Sequence, residues 1–232
     1  MTGITPHPVL WSSGQFSITA HGLFFALGAE ACYLVLLRLA KSRQLNTENL
    51  AEKVAVIFFA GLVAARIGYF ISYPSAYQSV VQVFSIWHGG LVSFWGIIGG
   101  LGAAWFLFRE RRTEWLGLLS VATLLAWAVG RLGNFWAGDS FGVLSPVWGF
   151  FYGRVPIQLF EALLCLLLFF FWLRRLDQKN LLVWVLLSYL AARFLVDFWR
   201  DESVWAGLHV SQWTSLVLAV PLLSIVLKRE KR

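Results

Sequence analysis

The sequence predicts an all-α integral membrane protein of seven transmembrane helices, with the N-terminus outside and the C-terminus cytoplasmic. Three observations predict it. Of 232 residues 59% are hydrophobic and 13% charged, with a mean hydropathy of +0.69, a balance that belongs in a bilayer and excludes a disordered or collagen-like chain. Seven apolar runs recur along the chain, each near the length of about 20 residues that crosses roughly 30 Å of hydrocarbon. The connections between them alternate between basic and nearly free of basic residues, which is the pattern that orients a multi-pass chain. Thirteen Trp and twenty Phe against one Met agree, because lipid-facing and interfacial positions favour large rings.

The runs lie at 18–40, 54–73, 89–108, 115–136, 157–173, 181–198 and 212–227. Residues 1–17 hold no Lys or Arg, so the first run lacks the basic start of a cleavable signal peptide and reads as a span. Arg38, Lys41, Arg43 and Lys53 follow the first run, Arg109, Arg111 and Arg112 the third, Arg174, Arg175 and Lys179 the fifth, and Lys228, Arg229, Lys231 and Arg232 the seventh. Fourteen of the nineteen basic residues therefore share one side, which the positive-inside rule makes cytoplasmic. The net charge of +7 is thus a topology signal, and nucleic acid is not an expected partner. With no linker and no internal repeat, residues 1–232 read as one seven-helix membrane domain with short outer loops. Cys32 and Cys165 each sit inside an apolar run and read as small buried hydrophobes.

Five arginines stand apart from the basic loops: Arg66, Arg131, Arg154, Arg193 and Arg200. Arg66, Arg131 and Arg193 fall within runs, where a central charge costs about 2.5–3.5 kcal/mol on insertion scales unless it snorkels or has a function. The even-numbered runs travel outward, so these three lie in outer halves. The odd-numbered runs travel inward, which brings His21, the His88-Gly89-Gly90 turn, Gln158 and Glu161 to the same outer depth. Independent snorkelling accounts for single arginines and not for carboxylate and amide groups sharing their layer.

Spacing sharpens the pattern. Tyr189, Arg193, Asp197 and Arg200 recur at 4, 4 and 3 residues, which stacks them on one helix face. Gln158 with Glu161, Arg131 with Asn134, and Arg66 with Tyr69 pair in the same way. A purely structural set of ion pairs, Arg193 with Asp197 and Arg131 or Arg66 with Glu161, is the bland alternative, and it is an inefficient way to gain stability. Convergent arginines under the outer interface suit an anion, and a phospholipid headgroup is the anion at that depth. Gly89, Gly90, Gly96, Gly99 and Gly100, with Gly130 and Gly133, allow close helix approach or room for an acyl chain. Glu30 lies deeper, as a protonated or Arg-paired structural carboxyl or, alternatively, a proton-linked group. No Lys falls within a run, so a retinal-type Schiff base is excluded. Ser93 lacks a nucleophile-elbow context, and the four histidines lack paired carboxylates at metal-ligand spacing. No metal and no cofactor are expected.

Six segments resemble one family, the bacterial prolipoprotein diacylglyceryl transferases. Gly130-Arg131-Leu132-Gly133-Asn134-Phe135-Trp136-Ala137-Gly138-Asp139-Ser140-Phe141-Gly142 is similar to that family's signature G-R-x-G-N-F-x-N-x-E-x-x-G, with Ala137 for Asn and Asp139 for Glu. Ala65-Arg66-Ile67-Gly68-Tyr69 resembles A-R-x-G-Y, and His88-Gly89-Gly90-Leu91 opens a glycine-rich helix like the family's. Pro156-Ile157-Gln158-Leu159-Phe160-Glu161 resembles P-S-Q-L-Y-E, and the stretch from Arg193 to Arg200 resembles R-F-x-x-E-x-x-R. Ser211-Gln212-Trp213-Thr214-Ser215 resembles the start of the family's last helix.

The resemblance implies a seven-helix inner-membrane enzyme of lipoprotein biosynthesis. Such an enzyme moves the diacylglyceryl group of phosphatidylglycerol onto the lipobox cysteine of a prolipoprotein and releases glycerol 1-phosphate. By the same resemblance Arg131 and Arg193 face the phosphate, Asn134 and Glu161 orient them, and Asp197 ties Arg193 or Arg200. Arg66, Tyr69, Gly89, Gly90, Asp139, Gln158 and Arg200 complete the substrate-binding set. The partners implied are an anionic phospholipid and a prolipoprotein signal peptide or another acceptor. The chain departs from the family where a catalytic histidine stands in the glycine-rich helix, since that position is Phe94, followed by Trp95 for a usual Gly. His21-Gly22 also stands where a Tyr normally precedes the Gly. Three readings follow: the family's transfer, an altered chemistry in which His21 or His88 supplies the base, and a non-catalytic lipid-binding or assembly subunit.

Overall fold

The structure, a computed structural model, describes residues 7–13, 16–74, 92–147, 149 and 153–230. Among these it has seven α-helices: α1 (Ala20–Ser42), α2 (Leu50–Ser72), α3 (Ser93–Leu107), α4 (Arg112–Ala137), α5 (Ile157–Leu173), α6 (Leu181–Val196) and α7 (Val210–Glu230). Each of the predicted runs overlaps one of them. A hairpin of β1 (Val9–Ser13) and β2 (Phe16–Thr19) precedes α1, and a shorter one of β3 (Val204–Trp205) and β4 (Leu208–His209) precedes α7. Five stretches are long and apolar enough to cross a membrane, namely α1, α2, α4, α7 and Leu181–Trp199, which is α6 with its 3-10 extension. At 15 and 17 residues, α3 and α5 are apolar but shorter, about 22 and 26 Å at 1.5 Å per residue. The chain is a multi-pass helical membrane protein.

Local chemistry explains where the helices begin and end. Thr19 caps α1, its Oγ1 accepting from Gly22 N at 3.1 Å. At α7, Gln212 reaches back from the third helical position, its Oε1 accepting from His209 N at 3.0 Å, which is half of a capping box. Its Nε2 also donates to Phe194 O at 3.1 Å, so one fully buried amide joins the start of α7 to α6. Gly138 ends α4 at φ 78°: its N–H bonds Asn134 O at 3.0 Å, and the next N–H, of Asp139, bonds the same carbonyl at 3.2 Å. A left-handed residue is needed there, and glycine adopts that conformation without penalty.

Residues 1–36 and 117–232 form one compact unit. In it α1 packs on α4 through small residues. An added Cβ on Gly133 would lie 2.5 Å from Phe24 Cβ and 3.4 Å from Ala20 O, and one on Gly28 would lie 2.9 Å from Ala126 O. Half of the apolar stretch of α4 is buried, against 17% of those of α2 and α7. Buried Ala128 on α4 and Ala162 and Cys165 on α5 form a core against Trp127, Leu166 and Tyr189, and Trp172 Nε1 of α5 donates to Ser188 Oγ of α6 at 2.8 Å. Cys32 and Cys165 are both free and buried, as expected of small hydrophobes.

Beyond α4 the backbone pairs in two directions. Gly142 N bonds Val155 O, and Val143 N bonds Trp199 O, each at 2.9 Å, while Ser145 N bonds Gly153 O at 2.9 Å. Arg200 bridges Gly142. The segments leaving α4, entering α5 and leaving α6 are thereby tied at one end of this unit. A Cβ on Gly142 would run into Trp199 O and Val155, so the final Gly of the signature is required by three strands of backbone meeting there.

Residues 37–116 form the second unit. Here α2 and α3 meet on small residues: a Cβ on Gly96 would lie 3.3 Å from Ala65 Cβ, one on Gly61 3.1 Å from Gly96 O, and one on Gly99 2.8 Å from Ala60 O. The glycines thus serve close helix approach. The Trp95 indole lies in the space that a side chain at Gly68 would occupy, so the missing Cβ at 68 accommodates the ring. Phe108 stacks on Trp115 with ring centroids 4.6 Å apart.

Candidate functional site

Within the first unit, helix periodicity and the tied loops carry six charged side chains to one point. Glu161, 5% exposed on α5, is the centre. Its Oε2 meets Arg131 Nε of α4 at 2.6 Å as a charge contact, and its Oε1 accepts from Arg193 Nη1 and from Arg200 Nη2. Fully buried Asp197 takes the other edges, Oδ2 from Arg193 Nε at 3.2 Å and Oδ1 from Arg200 Nε at 2.8 Å. Glu202, 34% exposed, adds 3.3 Å contact with Arg200 Nη1. Leaving aside Glu202, three arginines face two carboxylates, Glu161 and Asp197, so the third positive charge is balanced only by that more exposed carboxylate.

Donors remain as well. Among the described residues Nη1 and Nη2 of Arg131 and Nη2 of Arg193 make no hydrogen bond, although Arg131 also rests 5.3 Å from the Trp127 ring. These two arginines are held on one side by carboxylates, and their remaining guanidinium edges are not taken up by hydrogen bonds among the described residues. A narrow crevice beside them is lined by Trp127, Glu161, Cys165, Tyr189 and Arg193.

A second group adjoins through α5. Gln158, one turn before Glu161 and fully buried, donates from Nε2 to the backbone carbonyl of Asp139. Asp139 Oδ2 lies 2.6 Å from His21 Nε2, with the side chains 45% and 47% exposed. Because α1 lies against Gly133, the first turn of α1 comes to the residue that follows the Gly138 cap.

Several expectations change in detail. Arg200 is not on the face of α6 with Arg193: the helix ends at Val196, a 3-10 turn covers Asp197–Trp199, and Arg200 is extended. It reaches the cluster because its backbone bridges Gly142. The pairing of Arg131 with Glu161 is found, whereas Arg66 belongs to the other unit, where it is buried on α2 with Tyr69 on the same helix. Asn134 contributes its backbone carbonyl to the α4 cap, and its side chain makes no hydrogen bond among the described residues. His88, Gly89 and Gly90 lie outside the described residues. Glu30 is exposed on α1, and no ion pair to it is found among the described residues. Sequence reasoning missed Trp127, which stands one turn before Arg131 on α4 and was detectable by that spacing. It also missed Glu202 and the pair of Arg154 with Asp201 at 2.5 Å, which lie in loops where no helical spacing brings partners together.

The sequence pattern of prolipoprotein diacylglyceryl transferases matches residues 8–227. The chain belongs to the prolipoprotein diacylglyceryl transferase family. It is similar to a phosphatidylglycerol–prolipoprotein diacylglyceryl transferase of Chloroherpeton thalassium, 30% identical over 90% of this chain and 87% of the relative. A protein of the same description from Tolumonas auensis is 30% identical over 97% of this chain and 96% of its own length. One from Streptococcus agalactiae is 27% identical over the same shares. The family signature accordingly spans the end of α4, its Gly138 cap and the Gly142 junction, the parts that carry Arg131 and Asp139 into the site.

Proposed function

We propose that this chain moves the diacylglyceryl group of phosphatidylglycerol onto an acceptor such as the lipobox cysteine of a prolipoprotein, at the outer leaflet of a bacterial inner membrane. The observation that carries this reading is the pair Arg131 and Arg193, braced by Glu161 and Asp197 with guanidinium donors left over. Attack at the glyceryl carbon converts a phosphodiester with one negative charge into a monoester carrying nearly two. Fixed cations gain on that change, so they stabilise the departing phosphate more than the bound lipid. Because the carboxylates hold the arginines before substrate arrives, no reorganisation is needed during the reaction. The names of the relatives support the two substrates.

A non-catalytic phospholipid-binding subunit is the second reading. It is favoured by Phe94, 43% exposed on α3 where the resemblance puts a histidine. Purified protein in vesicles containing phosphatidylglycerol radiolabelled in its acyl chains, mixed with a lipobox peptide, separates the two. Label on the peptide, lost in Arg131→Ala and Arg193→Ala, is the expected result. Retention of the lipid without transfer supports the binding subunit, and neither transfer nor retention overturns both.

A further inference from the structure

We propose that His21 is the proton acceptor for the attacking thiol and that Asp139 is the positioning residue that orients it. This rests on the transfer reading above and names the base that Phe94 cannot supply. A carboxylate only accepts, so the 2.6 Å contact of His21 Nε2 with Asp139 Oδ2 puts the hydrogen of the neutral imidazole on Nε2. Nδ1 is then the nitrogen with a free lone pair. Both side chains are about half exposed, as a base that meets a second substrate must be.

The pair is anchored to the phosphate site through one residue. Gln158 fixes the Asp139 carbonyl, and Glu161, three residues further on the same face of α5, organises the arginines. A merely structural role for the pair has little to do. The approach of α1 to α4 is already set by Phe24 and Ala20 against Gly133, and the segment before β1 is tied to α4 separately, by His7 N bonding Trp136 O at 2.8 Å. Two departures from the family pattern, His for Tyr at 21 and Asp for Glu at 139, meet at this one contact, although 118 residues separate them.

The step balances as follows. The thiol proton passes to His21 Nδ1, and the sulfur forms a C–S bond to the glyceryl carbon. The C–O bond to phosphate breaks with its electron pair on the oxygen facing Arg131 and Arg193, and the imidazolium proton then leaves to water or to the released phosphate monoester.

The test uses the full chain in phosphatidylglycerol vesicles and two lipobox peptides, one with cysteine and one with selenocysteine. A cysteine thiol has a pKa near 8.5 and gains from a base, whereas a selenol is ionised at neutral pH and does not need one. His21→Ala is expected to lose about 10²- to 10⁴-fold in kcat on the cysteine peptide and less than about tenfold on the selenocysteine peptide, with KM for the lipid unchanged. Asp139→Asn should lose less, with the same preference for selenocysteine. Equal losses on the two peptides, or a His21→Ala rate within about threefold of wild type on cysteine, overturn the assignment of the base and leave the transfer reading standing. Wild-type protein inert toward both peptides overturns the transfer reading and the base with it. Thermal unfolding is measured for each variant, and if His21→Ala fails to fold, His21→Gln is read by the same criteria.

Discussion

Glu161 pairs with three guanidiniums, accepting hydrogen bonds from Arg193 and Arg200 and meeting Arg131 as a charge contact. Each of those arginines has a different number of other partners, so single substitutions in the cluster have unequal effects. Among the described residues Arg131 meets no carboxylate except Glu161, which retains Arg193 and Arg200 when Arg131 is removed. Arg131→Ala should therefore fold with normal yield and unfold within about 1 kcal/mol of wild type, since it also removes a membrane charge that is costly to insert. Glu161→Gln leaves three guanidiniums around a neutral amide, and loss of one partner from a buried charge set costs about 3–5 kcal/mol. Denaturation of both variants in the same detergent checks this. If Glu161→Gln is as stable as wild type, the cluster does not depend on that carboxylate.

At the scale of elements, α2 and α3 approach on glycine and alanine, and the Trp95 indole fills the space left by Gly68. Gly68→Ala pushes a methyl into that ring and should cost about 1–3 kcal/mol, and Trp95→Gly empties the space at a comparable cost. The double variant should be less destabilised than the sum of the two, by more than about 0.5 kcal/mol, because each change relieves the other. Strict additivity in a double-mutant cycle would show that the ring and Gly68 do not share this space. At the other junction, Gly142→Ala sets a Cβ against Trp199 O and Val155. Backbone cannot give way as a flexible side chain does, so we expect about 1–3 kcal/mol of destabilisation and a matching loss of transfer, as Arg200 is carried by the same bridge. Unchanged melting with normal transfer would remove that link.

For the whole molecule, the expected orientation follows from the division of basic residues, fourteen on one side and five elsewhere. A reporter fused after Arg232 should be cytoplasmic and one inserted near Ser145 should be outside. The reverse pattern would turn the arginine cluster toward the cytoplasmic leaflet and defeat the proposed transfer at the outer leaflet. Both positions can be tested with a pair of reporters active on opposite sides of the membrane.

The sequence by itself determined the helices, because apolar run length and capping residues act locally: Thr19, Gly138 and Gln212 each close a helix through bonds that span a few residues. It also determined that Gln158 and Glu161 share a face and that Arg193 lies one turn from Asp197, since 3.6 residues per turn is a local geometry. Only the tertiary structure decided that Glu161 serves three arginines from α4, α6 and the loop beyond it, and that Arg200 acts from extended backbone. It also brought His21 to Asp139. The physical reason is that these contacts depend on which helix faces meet, and those meetings are set by atoms remote in sequence, Phe24 against Gly133 and Gly142 against Trp199. Helical periodicity says what a face carries, while the volume of the residues opposite says which face it will touch.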